Sequence, residues 1–341
     1  MKNQKVLAIL YALGAALFYA INVPFSKLLL EDVAPTFMAA FLYIGAGIGV
    51  GIMYLLHFKH ESREERLERT DWPYAVGMVL LDILAPILLM LGIRTGTSST
   101  ASLLGNFEIV ATSLIAFLVF KETVSRRLWL AIGLITASSL LLSLDGGDGI
   151  RLSVGALFVL AATACWGLEN NCTRRISGKS TYQIVTIKGL CSGGGSLLIA
   201  LATGEAFPNL KSILFALLLG YVAYGLSIFS YIRAQSIIGA AKTSAYYAVA
   251  PFIGAFLSFL LLREALSGMY LLALALMLAG TAVIVMDTLV NRHDHAHEHV
   301  YIHTHNGVTH RHVVIHAHPH NHYLHADKHG HHHSTAELEH K

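Results

Sequence analysis

Charge is scarce in this sequence. Lysine, arginine, aspartate and glutamate make up 13% of its 341 residues, where a soluble domain carries about 25%. That shortage excludes an ordinary water-solvated core. A hydrophobic content of 55% and a mean hydropathy of +0.58 make the bilayer the solvent to reason with. Cysteine is nearly absent as well: Cys165, Cys172 and Cys191 lie in apolar runs with neither metal-ligand nor disulfide spacing, and read as packing residues. No GxGxxG, P-loop, HExxH or nucleophile elbow stands in a credible context, so the chain is not expected to be an enzyme. Lys2 and Lys5 precede an apolar stretch that runs too long for a cleaved leader, which makes it a retained first helix.

A hydrocarbon core about 30 Å thick needs roughly 20 helical residues. Runs of that length fall at 6–28, 34–57, 72–93, 98–120, 127–144, 152–173, 180–203, 212–234, 241–262 and 268–287. The expected fold is therefore an all-α integral membrane protein of ten transmembrane helices. Continuous apolar runs, not short alternating ones, exclude a β-barrel. Alternate loops collect the cations: Lys59, Arg63, Arg66 and Arg69, then Lys121, Arg126 and Arg127, then Arg174, Arg175 and Lys179, then Arg233 and Lys242. The opposite loops hold Lys27, Arg94, Arg151, Lys211 and Arg263 beside Glu31, Asp32, Asp145, Asp148 and Glu205. By the positive-inside rule both termini are cytoplasmic, in a plasma membrane of bacterial type.

The chain also repeats itself. Ser113–Ser125 reads SLIAFLVFKETVS and Ala255–Ser267 reads AFLSFLLLREALS, with Glu122 and Glu264 in the same place. A unit of five spans enters the membrane from the opposite side in its second copy, so the halves are expected to be inverted repeats, over 5–145 and 151–288. These two segments, with Thr95–Ser125 and Gly239–Ser267 around them, resemble the EamA-type transporters of the drug/metabolite transporter superfamily. The resemblance covers about residues 5–288. It implies ten helices in two inverted repeats and passage of a small metabolite through a central cavity. Where many relatives carry proline in both halves, this chain has Pro251 in the second half but Ile109, preceded by Glu108, in the first.

A charged side chain at the centre of a spanning helix costs about 2.5–3.5 kcal/mol, so it faces a cavity or a partner. At 1.5 Å per residue, Asp82 and Glu108 lie about 15 Å deep and Lys188 about 12 Å, where Lys188 is in reach of either acid. Structurally such a pair fixes helix register; functionally the acids take a cationic group or a coupling proton. Pro86, one turn after Asp82, frees a carbonyl that can line a cavity. Glu169 heads the run Glu169–Asn171, with Cys165 and Thr173 on its face; Asn22 shares a face with Ser26; Tyr246 and Tyr247 bring amphipathic rings to the ninth span. The candidate substrate or proton site is Glu108, Asp82, Lys188, Glu169, Asn22 and Tyr246. The glycines at 45, 47, 49 and 51 and at 193–195 are read as close helix packing.

Beyond Asp287 the apolar pattern stops, and 18 of the 20 histidines lie between His293 and His340. This segment, 289–341, is expected to be a cytoplasmic tail. Neutral imidazole ligates zinc, nickel, cobalt and copper. Val300–Val314 alternates about Asn306-Gly307, a favoured hairpin turn, which sets His303 opposite His310 and puts His299, His303, His305, His310 and His312 on one face. The expected activity is secondary transport of a small solute by alternating access, with no cofactor required. A divalent-metal transporter and a membrane metal sensor that does not transport are the alternatives. Expected partners are the lipid bilayer, a small-molecule substrate and, at the tail, a divalent metal. Homodimerisation is left open and no nucleic acid is expected.

Overall fold

A computed structural model describes residues 2–57, 66–120, 125–145, 151–176, 178–238, 243, 246–264, 267–289, 291–305 and 308–322. Glu122, the loop residues Lys59, Arg63, Lys121, Asp148 and Lys242, and the turn pair Asn306-Gly307 lie outside these. The chain forms two units, Met1–Val285 and Met286–Lys341.

The first unit is helical: α1 (Lys2–Ala20), α2 (Asn22–Leu29), α3 (Pro35–His57), α4 (Trp72–Thr95), α5 (Ser98–Leu104), α6 (Phe107–Phe120), α7 (Arg126–Leu142), α8 (Val154–Ile176), α9 (Thr181–Ile187), α10 (Gly193–Ala202), α11 (Leu210–Gly220), α12 (Ser227–Ile238), α13 (Ala250–Leu262) and α14 (Gly268–Leu289), which runs on into the second unit. Two residue pairs, Leu144–Asp145 and Arg151–Leu152, meet as antiparallel strands β1 and β2 between α7 and α8. Among the described residues seven stretches are long and apolar enough to cross a membrane: 6–29, 35–57, 69–95, 98–119, 181–202, 210–234 and 268–286. Three expected spans fall short by that measure. α13 has 13 residues and α7 has 17, while α8 has 23 but is made less apolar by the run Glu169, Asn170 and Asn171.

Several spans that read as continuous in the sequence are interrupted. The first breaks at Ile21, the fourth at Gly105-Asn106 and the ninth at Ala248-Val249. Counted from the matching segments at Ser113 and Ala255, the last two breaks agree to within one residue. Their causes are local. Pro24 and Pro251 have no N–H, so the carbonyls of Ala20 and Tyr247 lose their helical donors. Gly105 and Asn106 are poor helix formers, and the turn closes with tighter bonds, Gly105 N–H to Ser102 O at 3.2 Å and Asn106 N–H to Leu103 O at 3.1 Å. The seventh and eighth spans instead each hold a π-helical turn, Lys188–Ser192 and Tyr221–Leu226.

Glycine makes the close contacts, as the sequence suggests. A Cβ on Gly47 of α3 would stand 2.6 Å from the Leu190 backbone nitrogen, and one on Gly155 of α8 would stand 2.8 Å from that of Gly96. Leucines such as Leu10, Leu55, Leu80, Leu118, Leu198 and Leu218 face outward. An apolar exterior around a partly polar interior is what lipid demands, and it leaves the helices with little amphipathic signature.

Loop contacts sort into two ends. At one, Lys27 donates to Ile93 O and Gly96 O, both at 2.7 Å, and caps the C-terminus of α4. There Glu264 accepts from the backbone N–H groups of Ser98 (2.7 Å) and Ser99 (2.8 Å), and Glu205 from those of Thr36 and Phe37. At the other end Lys179 pairs with Glu68 at 2.7 Å, and Gln183 bonds Tyr54 and the Leu67 N–H. A lysine among sparsely cationic loops is therefore spent on a helix terminus.

In the second unit strands β3 (Asn291–His305) and β4 (Val308–His322) pair antiparallel, with His303 opposite His310. They reach well past the expected Val300–Val314. The register pairs His293, His295 and His297 with His320, His318 and His316, while His299 stands opposite Val314, His312 opposite Tyr301 and His305 opposite Val308.

Candidate functional site

Three helices bring charge to the interior of the first unit. α4 supplies Asp82, α8 supplies Glu169, and the π turn after α9 begins with Lys188. Asp82 is wholly buried and Glu169 is 1% exposed. The Lys188 ammonium lies 3.1 Å from Asp82 Oδ2 and 3.0 Å from Glu169 Oε1, bridging both. Tyr43 of α3 donates its hydroxyl to Asp82 Oδ1 at 3.0 Å, and Thr173 donates to Glu169 from one turn on. The π turn inserts an extra residue in the helix where Lys188 leaves it, a feature common at functional sites.

Glu108 is held differently. It is the second residue of α6, just past the break, and accepts from the Asn170 amide at 2.6 Å. Asn170 follows Glu169, so Glu108 stands beside the triad without joining it. Of the two partners open to Lys188 in the sequence, the structure gives it Asp82, and the second carboxylate is Glu169, not Glu108. The reason is register: α4 packs along α8, with Gly92 against Gly155, and this brings Asp82 and Glu169 to one lysine. Glu108 remains half-buried.

Tyrosines form the next layer. Asn22 donates to the Tyr224 hydroxyl at 3.1 Å and accepts from Ser26 at 3.0 Å. The Tyr224 ring lies 5.1 Å from Tyr43 and 5.9 Å from Tyr19, and Tyr19 lies 6.0 Å from Tyr247. The described contacts thus bring Tyr247 into the cluster; its neighbour Tyr246 is half-buried and takes no part in them. A small cavity adjoins, where α1, α2, α4, α5, α8 and α13 meet, lined by Tyr19, Ala20, Ser102, Gly105, Trp166 and Pro251 among others. The Ser102 hydroxyl and both polar atoms of the Asn106 side chain are buried with no hydrogen-bond partner among the described residues. The bundle interior thus carries a charged cluster, an aromatic layer and unsatisfied polar groups at helix breaks, the last beside a cavity of about 20 Å³.

Sequence reasoning singled out Asp82, Lys188, Glu169 and Glu108, because a charge in an apolar run is conspicuous, and the structure sets the first three together with Glu108 beside them. It missed Tyr43, Tyr224, Ser102 and Asn106. The Gly-Asn pair in mid-span was a usable signal for the break. Nothing in the chain marked Tyr43 as the partner of Asp82, 39 residues away.

An uncharacterized transporter of Methanothermobacter thermautotrophicus (strain Delta H) is 27% identical over 290 residues, covering 79% of this chain and 83% of its own. A protein of known crystal structure superposes with a TM-score of 0.62 at 19% identity, over 82% of this chain and 96% of that one, a likeness of fold. The model of the EamA-like transporter family matches twice, at residues 6–144 and 153–286, with the helix breaks of the fourth and ninth spans one in each match. With that double match over most of its length and a cavity lined from both copies, the chain is a multi-pass membrane transporter of the EamA-like transporter family.

Proposed function

We propose that the protein is a secondary transporter that moves a small organic solute by alternating access between two inverted five-helix repeats, with ten spans and both termini in the cytoplasm. The observation that carries this reading is the pair of matching helix breaks, one in each repeat, beside a cavity lined from both. Interrupted helices at the repeat interface expose backbone groups to a solute, and rocking one repeat against the other opens the site to alternate sides. Glu108, Asp82, Lys188 and Glu169 form the polar heart of the site and Asn22 sets the tyrosine layer, with Tyr247 and not Tyr246 in that layer. An organic solute is favoured over a divalent metal in the bundle because the Lys188 ammonium already occupies the position between Asp82 and Glu169 that a metal would take. Metal belongs to the tail. There the strand register sets imidazole-bearing positions side by side, a donor set suited to zinc, nickel, cobalt or copper.

A deletion strain tests the reading: complemented with the full chain or with one ending before residue 293, it should show the same basal efflux or uptake phenotype, and only the full chain should respond to about micromolar zinc or nickel. Metal-dependent growth that needs the helices but not an organic solute would favour the metal transporter. Cysteines introduced at 146–150 and in the tail should label from opposite sides; labelling from one side would refute the topology.

A further inference from the structure

One hydroxyl near the helix breaks differs from its neighbours. α5 and α13 pass each other with small polar residues at turn spacing. Ser98 of α5 meets Ser258 of α13, hydroxyl to hydroxyl at 2.8 Å, and Ser258 in turn donates to Gly254 O at 2.8 Å. One turn on along α5 stands Ser102, and one turn back along α13 stands Gly254, so the next pairing sets a hydroxyl against a residue with no side chain. Ser102 is 4% exposed, and its hydroxyl has no hydrogen-bond partner among the described residues. A buried hydroxyl left in that condition is costly.

An acceptor in the same condition lies across from it. Ala20 O would take its helical hydrogen bond from residue 24, which is Pro24 and has no N–H to give. A Cβ on Gly254 would stand 3.1 Å from Ser102 Oγ and 3.2 Å from Ala20 O, so both atoms border the space that glycine leaves open. All three residues line the cavity of about 20 Å³. One water needs about 10–15 Å³ of such space, so the cavity admits a water and excludes an organic solute. Thr163 of α8 lines it too; its hydroxyl donates to Leu160 O at 2.8 Å and keeps the capacity to accept. Three polar partners are what a buried water commonly has, whereas a divalent cation takes about six oxygens.

We propose that one ordered water binds in this cavity, accepting from Ser102 and donating to Ala20 O and Thr163 Oγ1. It does for Ser102 what Ser258 does for Ser98. It also supplies the donor that Pro24 withholds, which is how a membrane helix tolerates a proline. Ala20 and Ser102 belong to the first repeat and Thr163 to the second, so the water joins two broken spans of one repeat to a helix of the other. The proposal stands apart from the transport reading, and its test does not involve flux.

The full chain in nanodiscs is taken to a map that resolves ordered solvent, and its melting temperature is compared with that of Ser102→Ala. The map should show one solvent peak within hydrogen-bond reach of both Ser102 Oγ and Ala20 O. Ser102→Ala should melt about 2–3 °C lower, because the water loses its donor and Ala20 O its hold on the water. A dry cavity predicts the opposite sign, since the substitution would then remove a buried hydroxyl that had nothing to bond. If Ser102→Ala does not fold, the map of the parent chain decides. A map with no peak there, or a Ser102→Ala chain that melts at or above the parent, overturns the proposal.

Discussion

Replacing Lys188 by methionine keeps most of the side chain's length and removes the ammonium between Asp82 and Glu169. Two buried carboxylates are then left facing each other. Breaking a buried ion pair by removing one partner costs about 3–5 kcal/mol. A second route gives a similar figure: one acid can escape by taking a proton, which at pH 7 costs an ordinary carboxyl group about 4 kcal/mol at 1.36 kcal/mol per pH unit. The same arithmetic at pH 5 leaves only about 1 kcal/mol, so the variant should regain stability as pH falls. At roughly 2 °C per kcal/mol the melting temperature of Lys188→Met in detergent should drop by about 6–10 °C at pH 7 and by about 2 °C at pH 5. Adding Asp82→Asn and Glu169→Gln removes both orphaned charges while keeping an acceptor for Tyr43, and should restore most of the loss. Size-exclusion thermal unfolding of the purified chain reads all of these. A single variant that melts within about 2 °C of the parent at pH 7, or a triple variant no more stable than the single, would show that the triad does not bear the load assigned to it.

Glu264→Ala should cost about 1 kcal/mol of thermal stability, because it removes the carboxylate that accepts from Ser98 and Ser99 at the start of α5, and Glu264→Gln should lose about half of that. Gly47→Leu should abolish folded protein in a membrane fraction, since even its Cβ would stand 2.6 Å from the Leu190 backbone, whereas Gly133→Ala, with open space at its Cβ, should be silent. Arg263 ends α13 in a left-handed conformation, φ 51°, so Arg263→Gly should raise stability by about 1 kcal/mol in the same melt. Imidazole must be neutral to ligate, and its ordinary pKa is near 6.5, so zinc or nickel affinity of the tail, followed by calorimetry on the full chain and on one ending before residue 293, should fall steeply below about pH 6.

Much of this protein is dictated by its sequence. Twenty-residue apolar runs must become helices in lipid, because every backbone N–H and C=O needs a partner within the segment. Two like segments carrying Glu122 and Glu264 in the same place declare the duplication, and any charge stranded in such a run must find a cavity or a counter-charge. The sequence is equally clear on the histidine-rich tail and on its period of two. Tertiary structure decides the rest, since a helix register fixes which residue faces inward but not which helix it meets. Lys188 goes to Asp82 and Glu169 instead of Glu108 because glycine contacts set how α4 lies on α8. Tyr43 reaches Asp82, and Asn22 reaches Tyr224 over 202 residues of chain, through packing that no local pattern announces. The breaks at Gly105-Asn106 and Ala248-Val249 lie between. Their glycine and proline are legible, but their coincidence at one cavity follows only from the way the two repeats fold together, with each freed backbone group needing the other copy, or a solute, to satisfy it.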